Sequence, residues 1–370
     1  MNNLFGVFKN KTVLVTGHTG FKGSWLCIWL NSLGAKVIGI SIDIPSATSN
    51  FIESEVSKLI NDIRLDIRDS NQINKLVIKH QPDFIFHLAA QALVKKSYDS
   101  PLETLTTNAI GTANILEAAR NLSKKVVLVM ITSDKVYDNQ EWVWGYRETD
   151  NIGGKDPYSA SKGMAELAIN TYLYSFYQHA SSDVRVGIAR AGNVIGGGDW
   201  AFDRLVPDCM RAWSENQIVE IRNPRATRPW QHVLEPLSGY LTLASHLSNS
   251  AHLHGEAFNF GPHANQNFSV NEIIKEMSKY WDYVRWLDVS DNKEIFQEAG
   301  LLKLNCDKAL FKMNWTPVME FNETVKMTVQ WYKFFYEKQT SSMLDFTLSQ
   351  IKDFSDLAKN REVIWTKAND

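Results

Sequence analysis

A short β-branched run, Thr12–Thr16, ends directly in Gly17-His18-Thr19-Gly20-Phe21-Lys22-Gly23, and the residues after it carry helical spacing. A glycine turn between a strand and a helix restricts the possible folds severely. It lets the backbone bend tightly and approach a pyrophosphate, which the amide groups and positive end of the following helix can then hold. The spacing is GxxGxxG rather than GxGxxG, so the turn by itself is also compatible with a purely structural role. Gly17, Thr19, Gly20, Phe21, Lys22 and Gly23 are the first candidate ligand contacts.

The turn does not stand alone. Apolar strand-like runs recur at 36–42, 62–65, 84–88, 126–132 and 184–189, several of them apolar on both faces, with helical spacing at 23–33 and 102–121. Strands buried on both faces and alternating with helices predict an α/β fold, a doubly wound parallel sheet of the Rossmann kind. After about Asn193 the texture changes to Gly196-Gly197-Gly198 and a run of prolines. The division expected is 1–192 as a dinucleotide-binding domain carrying the reacting groups. Residues 193–340 are expected to be mainly a smaller α/β substrate lobe with crossings back, and 341–370 a helical tail, amphipathic over 344–365.

Composition narrows the partners. A formal net charge of -2 on 370 residues gives no bulk attraction for nucleic acid or an anionic membrane, so an anionic ligand must be held by local donors. Cys27, Cys209 and Cys306 are widely spaced, with no CxxC and no adjoining His cluster, and read as reduced core residues rather than a metal site. No run approaches the roughly 18 apolar residues of a membrane span, and no signal peptide is evident, so a cytoplasmic protein is expected.

Further candidates follow the strands. An acid about 20 residues past the glycine turn should take the adenosine ribose. Ser41 stands where that acid is expected, and Asp43 lies just beyond it, which favours NAD over NADP without deciding it. Asp66, with Ile67, falls beside an adenine position or is an ordinary loop carboxylate. The small residues of Leu88-Ala89-Ala90, after His87, would admit cofactor backbone contacts; His87 itself is given no chemistry.

Asp156-Pro157 is a strong helix start, and Tyr158 and Lys162 then share one face. A free phenol ionises near pH ~10, and a neighbouring ammonium together with a positive nicotinamide would lower that value. Ser133-Asp134-Lys135 follows the 126–132 strand at the edge where open α/β sheets bind ligands. Ser133 can hydrogen-bond a substrate alcohol, Asp134 can protonate a leaving hydroxyl, and Lys135 can accept a proton from carbon if its pKa is depressed.

At these residues the chain resembles the extended short-chain dehydrogenase/reductase family, and within it the nucleotide-sugar 4,6-dehydratases, over about residues 10–335. GHTGFKGSWL (17–26), TSDKVYDN (132–139), RAGNVIGGGDWAFDRLVPD (190–208) and RPWQHVLEPLSGYL (228–241) resemble the CDP-glucose branch. The dTDP-glucose members carry Thr-Asp-Glu where this chain has Ser133-Asp134-Lys135, so the acid position is kept and a carboxylate base becomes Lys135.

The resemblance implies NAD as cofactor and CDP-glucose as substrate. Tyr158, with Lys162 and Ser133, takes the C4 hydroxyl proton as hydride moves to NAD. Lys135 then removes the C5 proton while Asp134 protonates the departing C6 hydroxyl, and the hydride returns to C6. The product, CDP-4-dehydro-6-deoxy-D-glucose, would feed deoxysugar formation of the O-antigen or lipopolysaccharide kind. Asn193, Arg228 and, more weakly, Arg204 are implied at the substrate diphosphate. Trp200 and Trp230 either wall the nucleotide or pack the core. A homodimer or homotetramer is implied, pairing through the helix that bears Ala160, Ala165, Leu167, Ala168, Leu173 and Phe176. Two enzymatic readings compete, a nucleotide-sugar 4-epimerase and a dehydratase of another nucleotide sugar. An NAD-binding protein without catalysis is a third. The epimerase reading leaves Asp134 and Lys135 idle, and the binding protein would be expected to lack Tyr158 or Lys162.

Overall fold

The computed structural model describes residues 3–179, 182–290, 301–337 and 341–367. Its centre is a seven-stranded sheet in which every pair is parallel. Six strands come from the first half: β1 (Thr12–Thr16), β2 (Lys36–Ser41), β3 (Asn61–Arg64), β4 (Phe84–His87), β5 (Val126–Ile131) and β6 (Val184–Ala191). Their spatial order is 3-2-1-4-5-6, with Ala257–Phe260 added beside β6 as the seventh.

The strands are apolar on both faces because both faces are covered. Along β5, Val127, Val129 and Ile131 pack into one core and Val126, Leu128 and Met130 into the other. The first core is closed by the helices Phe21–Ser32, Leu234–Asn249, Phe321–Tyr336 and Met343–Asn360, the second by Ser70–His80, Gly111–Arg120 and Pro157–Tyr172. Strand β2 stops at Ser41, one residue short of the expected run, and Ile42 lies exposed. The helical run expected at 102–121 is interrupted by a wider π turn at Thr106–Ile110. The tail helix ends at Asn360, and its Phe354 packs on Trp29 and Trp365.

Residues 193–290 leave the sheet and return to it. Three two-stranded pairings form the outlying part: Val194–Ile195 with Gln231–His232, Thr227–Arg228 with Phe268–Ser269, and Val219–Ile221 with Trp286–Asp288. Between them, Leu234–Asn249 lies on β5 and β6, and Ala257–Phe260 joins the main sheet. The 340/341 division expected from the sequence borders 338–340, outside the described residues. Cys27 and Cys209 are buried, Cys306 is half-buried, and all three are free thiols. Among the described residues no helix is long and apolar enough to cross a membrane, and no His, Cys, Asp and Glu group could hold a metal ion.

Candidate active site

Strands β1, β4, β5 and β6 end on the same edge of the sheet, so the segments after them converge. The strand order reverses between β1 and β4, the crevice where such sheets bind nucleotides. Gly17 has φ +73°, and a Cβ there would come within 2.7 Å of the Ala89 nitrogen. A Cβ on Gly23 would lie 2.1 Å from the Gly17 oxygen. These two positions need glycine for the close packing of turn, helix and neighbouring loop. Gly20 caps the helix Phe21–Ser32 with no side-chain hydrogen bond, and the first turn carries no acid. The amide groups of that turn are therefore left for an anion.

The ribose side of the cradle is built differently from the expected pattern. Ser41 Oγ accepts the Thr19 amide (3.3 Å) and meets His18 Nδ1 (3.0 Å), while His18 Nε2 meets Asp62 Oδ1 (2.8 Å). Asp43 is exposed and contributes its backbone oxygen to the Thr19 hydroxyl, at 2.7 Å. The carboxylate hydrogen-bonded to the turn is thus Asp62, on β3, through His18. Asp66 is gripped by Arg68, whose Nε and Nη2 lie 2.9 and 2.7 Å from Oδ2, and this hydrogen bonding holds its carboxyl below the usual range. Ile67 is buried against Gly111. Leu88, Ala89 and Ala90 are half-buried at the end of β4, with the Ala89 amide held by Thr16 Oγ1 (3.1 Å). His87 is structural: its ring spans Thr16 (2.8 Å) and Thr112 (2.9 Å), and burial drives its pKa down to about 3.

The reacting groups sit across this crevice. Asp156 caps the helix Pro157–Tyr172 by accepting the Ser159 amide (2.9 Å), as its sequence predicts. That helix brings Tyr158 and Lys162, both buried, under the end of β5. Ser133 and Asp134 are buried there too, with the Ser133 hydroxyl donating to Asp134 Oδ1 at 3.0 Å. Lys135 is half-buried, and among the described residues its ammonium makes no hydrogen bond or ion pair.

Burial pushes the Asp134 carboxyl up, against the opposing influence of Lys135, Ser133 and Lys22. Burial likewise pushes the Tyr158 phenol up to about 12, and the groups working against it are the Ser133 hydroxyl and Arg204. Lys162 stands one turn further along the same helix. Its own pKa is lowered to about 8 by burial, with Glu166 acting the other way. Lys22 also falls to about 8 through burial, beside Arg204, Asp134 and Lys162, so the glycine turn feeds a cation into the same pocket.

Asn193 follows Gly192 at the end of β6, and its backbone oxygen accepts the Gln231 amide at 3.4 Å. Arg204 is held by Asp199 at 2.7 Å and lies close enough to act on Tyr158. Arg228 stands on the Thr227–Arg228 strand, part-exposed, with Nη1 on the Thr227 oxygen (2.9 Å). Trp200 is core: it packs on Trp331, Tyr332 and Phe335. Trp230 is buried and donates to the Phe268 oxygen at 2.9 Å.

The strand–glycine–helix turn, Ser133-Asp134-Lys135 and the Tyr158–Lys162 helix thus meet on one edge of the sheet. The family model described as GDP-mannose 4,6 dehydratase matches residues 14–328. The chain belongs to that family. Within it, the chain is 46% identical over 330 residues to CDP-glucose 4,6-dehydratase of Salmonella typhimurium, covering 88% of this chain and 91% of that one. It is 25% identical to CDP-paratose 2-epimerase of Salmonella typhi, over 86% and 98% of the two chains. Among solved structures, an epimerase of Methanothermobacter thermautotrophicus superposes with a TM-score of 0.77 at 24% identity, covering 90% of this chain and 96% of that one, a likeness of fold.

The structure also brings forward residues to which the sequence by itself assigns no role. Gly192 is one: a Cβ there would lie 2.7 Å from Asp134 Oδ2, so its absence makes room for the acid. Asn108 is another, bridging Gln91 (2.8 and 3.0 Å) and Ser161 (2.7 Å) from the π turn behind the Tyr–Lys helix. Glu166 and Arg190 form a fully buried ion pair behind Lys162. The signals were present but weak: a glycine closing an apolar strand, and a charge inside the run 184–191.

Proposed function

We propose that this chain dehydrates CDP-D-glucose to CDP-4-dehydro-6-deoxy-D-glucose, with NAD held in the glycine cradle. The observation that carries the reading is the buried Ser133–Asp134 pair with Lys135 beside it, facing the Tyr158–Lys162 helix. Oxidation alone needs no such acid and base. The likeness to the Salmonella typhimurium enzyme supplies the sugar nucleotide.

The cradle fits the cofactor: its glycines leave no room for a Cβ, and its helix start leaves amide groups uncapped. NAD, when bound, supplies a reversible hydride acceptor, and its positive ring adds to the charges favouring the Tyr158 phenolate. Tyr158 takes the C4 hydroxyl proton, with Ser133 holding the alcohol. The C4 ketone acidifies C5, whose proton goes to Lys135. Asp134, whose carboxyl burial pushes up, donates to the departing C6 hydroxyl. The hydride would then return from the reduced cofactor to C6 and the proton from Lys135 to C5, giving the 6-deoxy product with the cofactor regenerated. Asn193, Arg204 and Arg228 are proposed to hold the diphosphate, for which a forked guanidinium is well shaped.

Incubation with CDP-glucose, dTDP-glucose, GDP-mannose and UDP-glucose tests this. A 4-keto-6-deoxy product is expected from CDP-glucose. Product from another of the four would reassign the substrate, a C4-inverted sugar would establish the epimerase, and no 4-keto-6-deoxy sugar from any would sink the dehydratase.

The assembly proposed is a homodimer or homotetramer working in the cytoplasm, a reducing compartment that suits three unpaired cysteines. The expected helix face divides: Ala165 and Leu173 are buried within the chain, whereas Leu167 and Phe176 are exposed, as are Leu102, Ile110, Met164 and Tyr174. A light-scattering mass of one chain in solution would refute the assembly.

A further inference from the structure

We propose that the Glu166–Arg190 ion pair is a positioning device for the reaction proposed above, fastening together the helix that carries Tyr158 and Lys162, the end of β5 that leads into Ser133 and Asp134, and β6, against whose end Asp134 rests. Glu166 lies one turn beyond Lys162 and two beyond Tyr158 on the same helix, and is 0% exposed. Its Oε1 accepts Arg190 Nε at 2.8 Å and the Thr132 hydroxyl at 2.7 Å, and Arg190 Nη2 binds Oε2. Thr132 immediately precedes Ser133. Arg190 stands on β6 two residues before Gly192, against which Asp134 rests.

The fastening continues outward. Arg190 Nη1 donates to the Tyr137 hydroxyl at 2.7 Å, and that hydroxyl donates to Asn259 Oδ1, also at 2.7 Å, on the seventh strand. Hydrocarbon would fill such a volume as stably as a desolvated ion pair. A charged pair instead fixes directions, and these directions lead to the catalytic segments. Glu166 also supplies negative charge near Lys162. The other charged or titratable groups that interact with Lys162 are His87 after β4 and Lys22 from the glycine turn.

The readout is C4 oxidation in a single turnover of the NAD-loaded protein, followed by nicotinamide absorbance across pH. A 4-epimerase would perform the same half-reaction, so failure of the dehydratase reading leaves this test standing. Glu166→Gln is expected to slow oxidation at least about tenfold. It should also move the alkaline limb about one unit toward acid, because Lys162 loses the charge that keeps it protonated. A folded variant with the wild-type rate, or a slower one with an unmoved limb, overturns the proposal. If Glu166→Gln does not fold, Thr132→Val decides, since it leaves the ion pair whole. A several-fold lower rate at unchanged substrate affinity supports the device, and a wild-type rate refutes it.

Discussion

Asp134→Asn is expected to oxidise C4 at close to the wild-type rate and to lose dehydration by about 10²–10⁴-fold, the usual worth of a positioned general acid. The substitution suits the question because asparagine keeps the shape. It fits the space left by Gly192 and can still accept the Ser133 hydroxyl, which reaches Asp134 at 3.0 Å. What it cannot do is give up a proton to the C6 oxygen. Burial raises the Asp134 carboxyl despite Lys135, Ser133 and Lys22, the direction that favours a proton donor. Two measurements on one preparation suffice: single-turnover nicotinamide reduction and steady-state formation of the 4-keto-6-deoxy sugar. Equal loss of both would mean that Asp134 supports the architecture of the pocket rather than the elimination.

The parallel sheet was legible because its evidence is local. Strands such as β5, apolar on both faces, require cover on both sides, and a glycine turn after β1 places a nucleotide crevice at a known edge. The seventh strand was not legible. Ala257–Phe260 is four residues long, and only its pairing with β6, far away in sequence, distinguishes it from the short strands around it. Charges hid for a similar reason. Glu166 looks like any solvated helix residue until Arg190 and Thr132 are folded against it, and Arg190 looks like an ordinary charge just past the 184–189 run. Where the pattern assigns the acid to the end of β2, the sequence showed Ser41 but not its partners. Here Ser41 occupies that place, and His18 links it to a carboxylate one strand further out. Tyr158 shows a further limit: a phenol's ionisation depends on what lies within a few ångströms, and Arg204 arrives there from about 45 residues downstream.

Lys135→Met separates the base from the acid. The variant is expected to retain C4 oxidation, to lose dehydration by about 10²–10⁴-fold, and to stop exchanging the C5 hydrogen with solvent deuterium. Asp134→Asn, by contrast, should continue that exchange, because its amine is intact and only the leaving hydroxyl is stranded. The two groups are coupled, so the direction of the coupling matters. Lys135 lowers the Asp134 carboxyl, and removing its charge raises it further, the direction that favours a proton donor. The acid therefore survives in Lys135→Met, and a lost elimination cannot be assigned to it. The half-buried setting of Lys135 is consistent with the role: it lies next to Asp134 in sequence, and its ammonium has no carboxylate partner among the described residues that a substrate would have to displace. Deuterium entering C5 at the wild-type rate in Lys135→Met would place the base elsewhere, and Lys22, the other cation acting on Asp134, would be the residue to replace next.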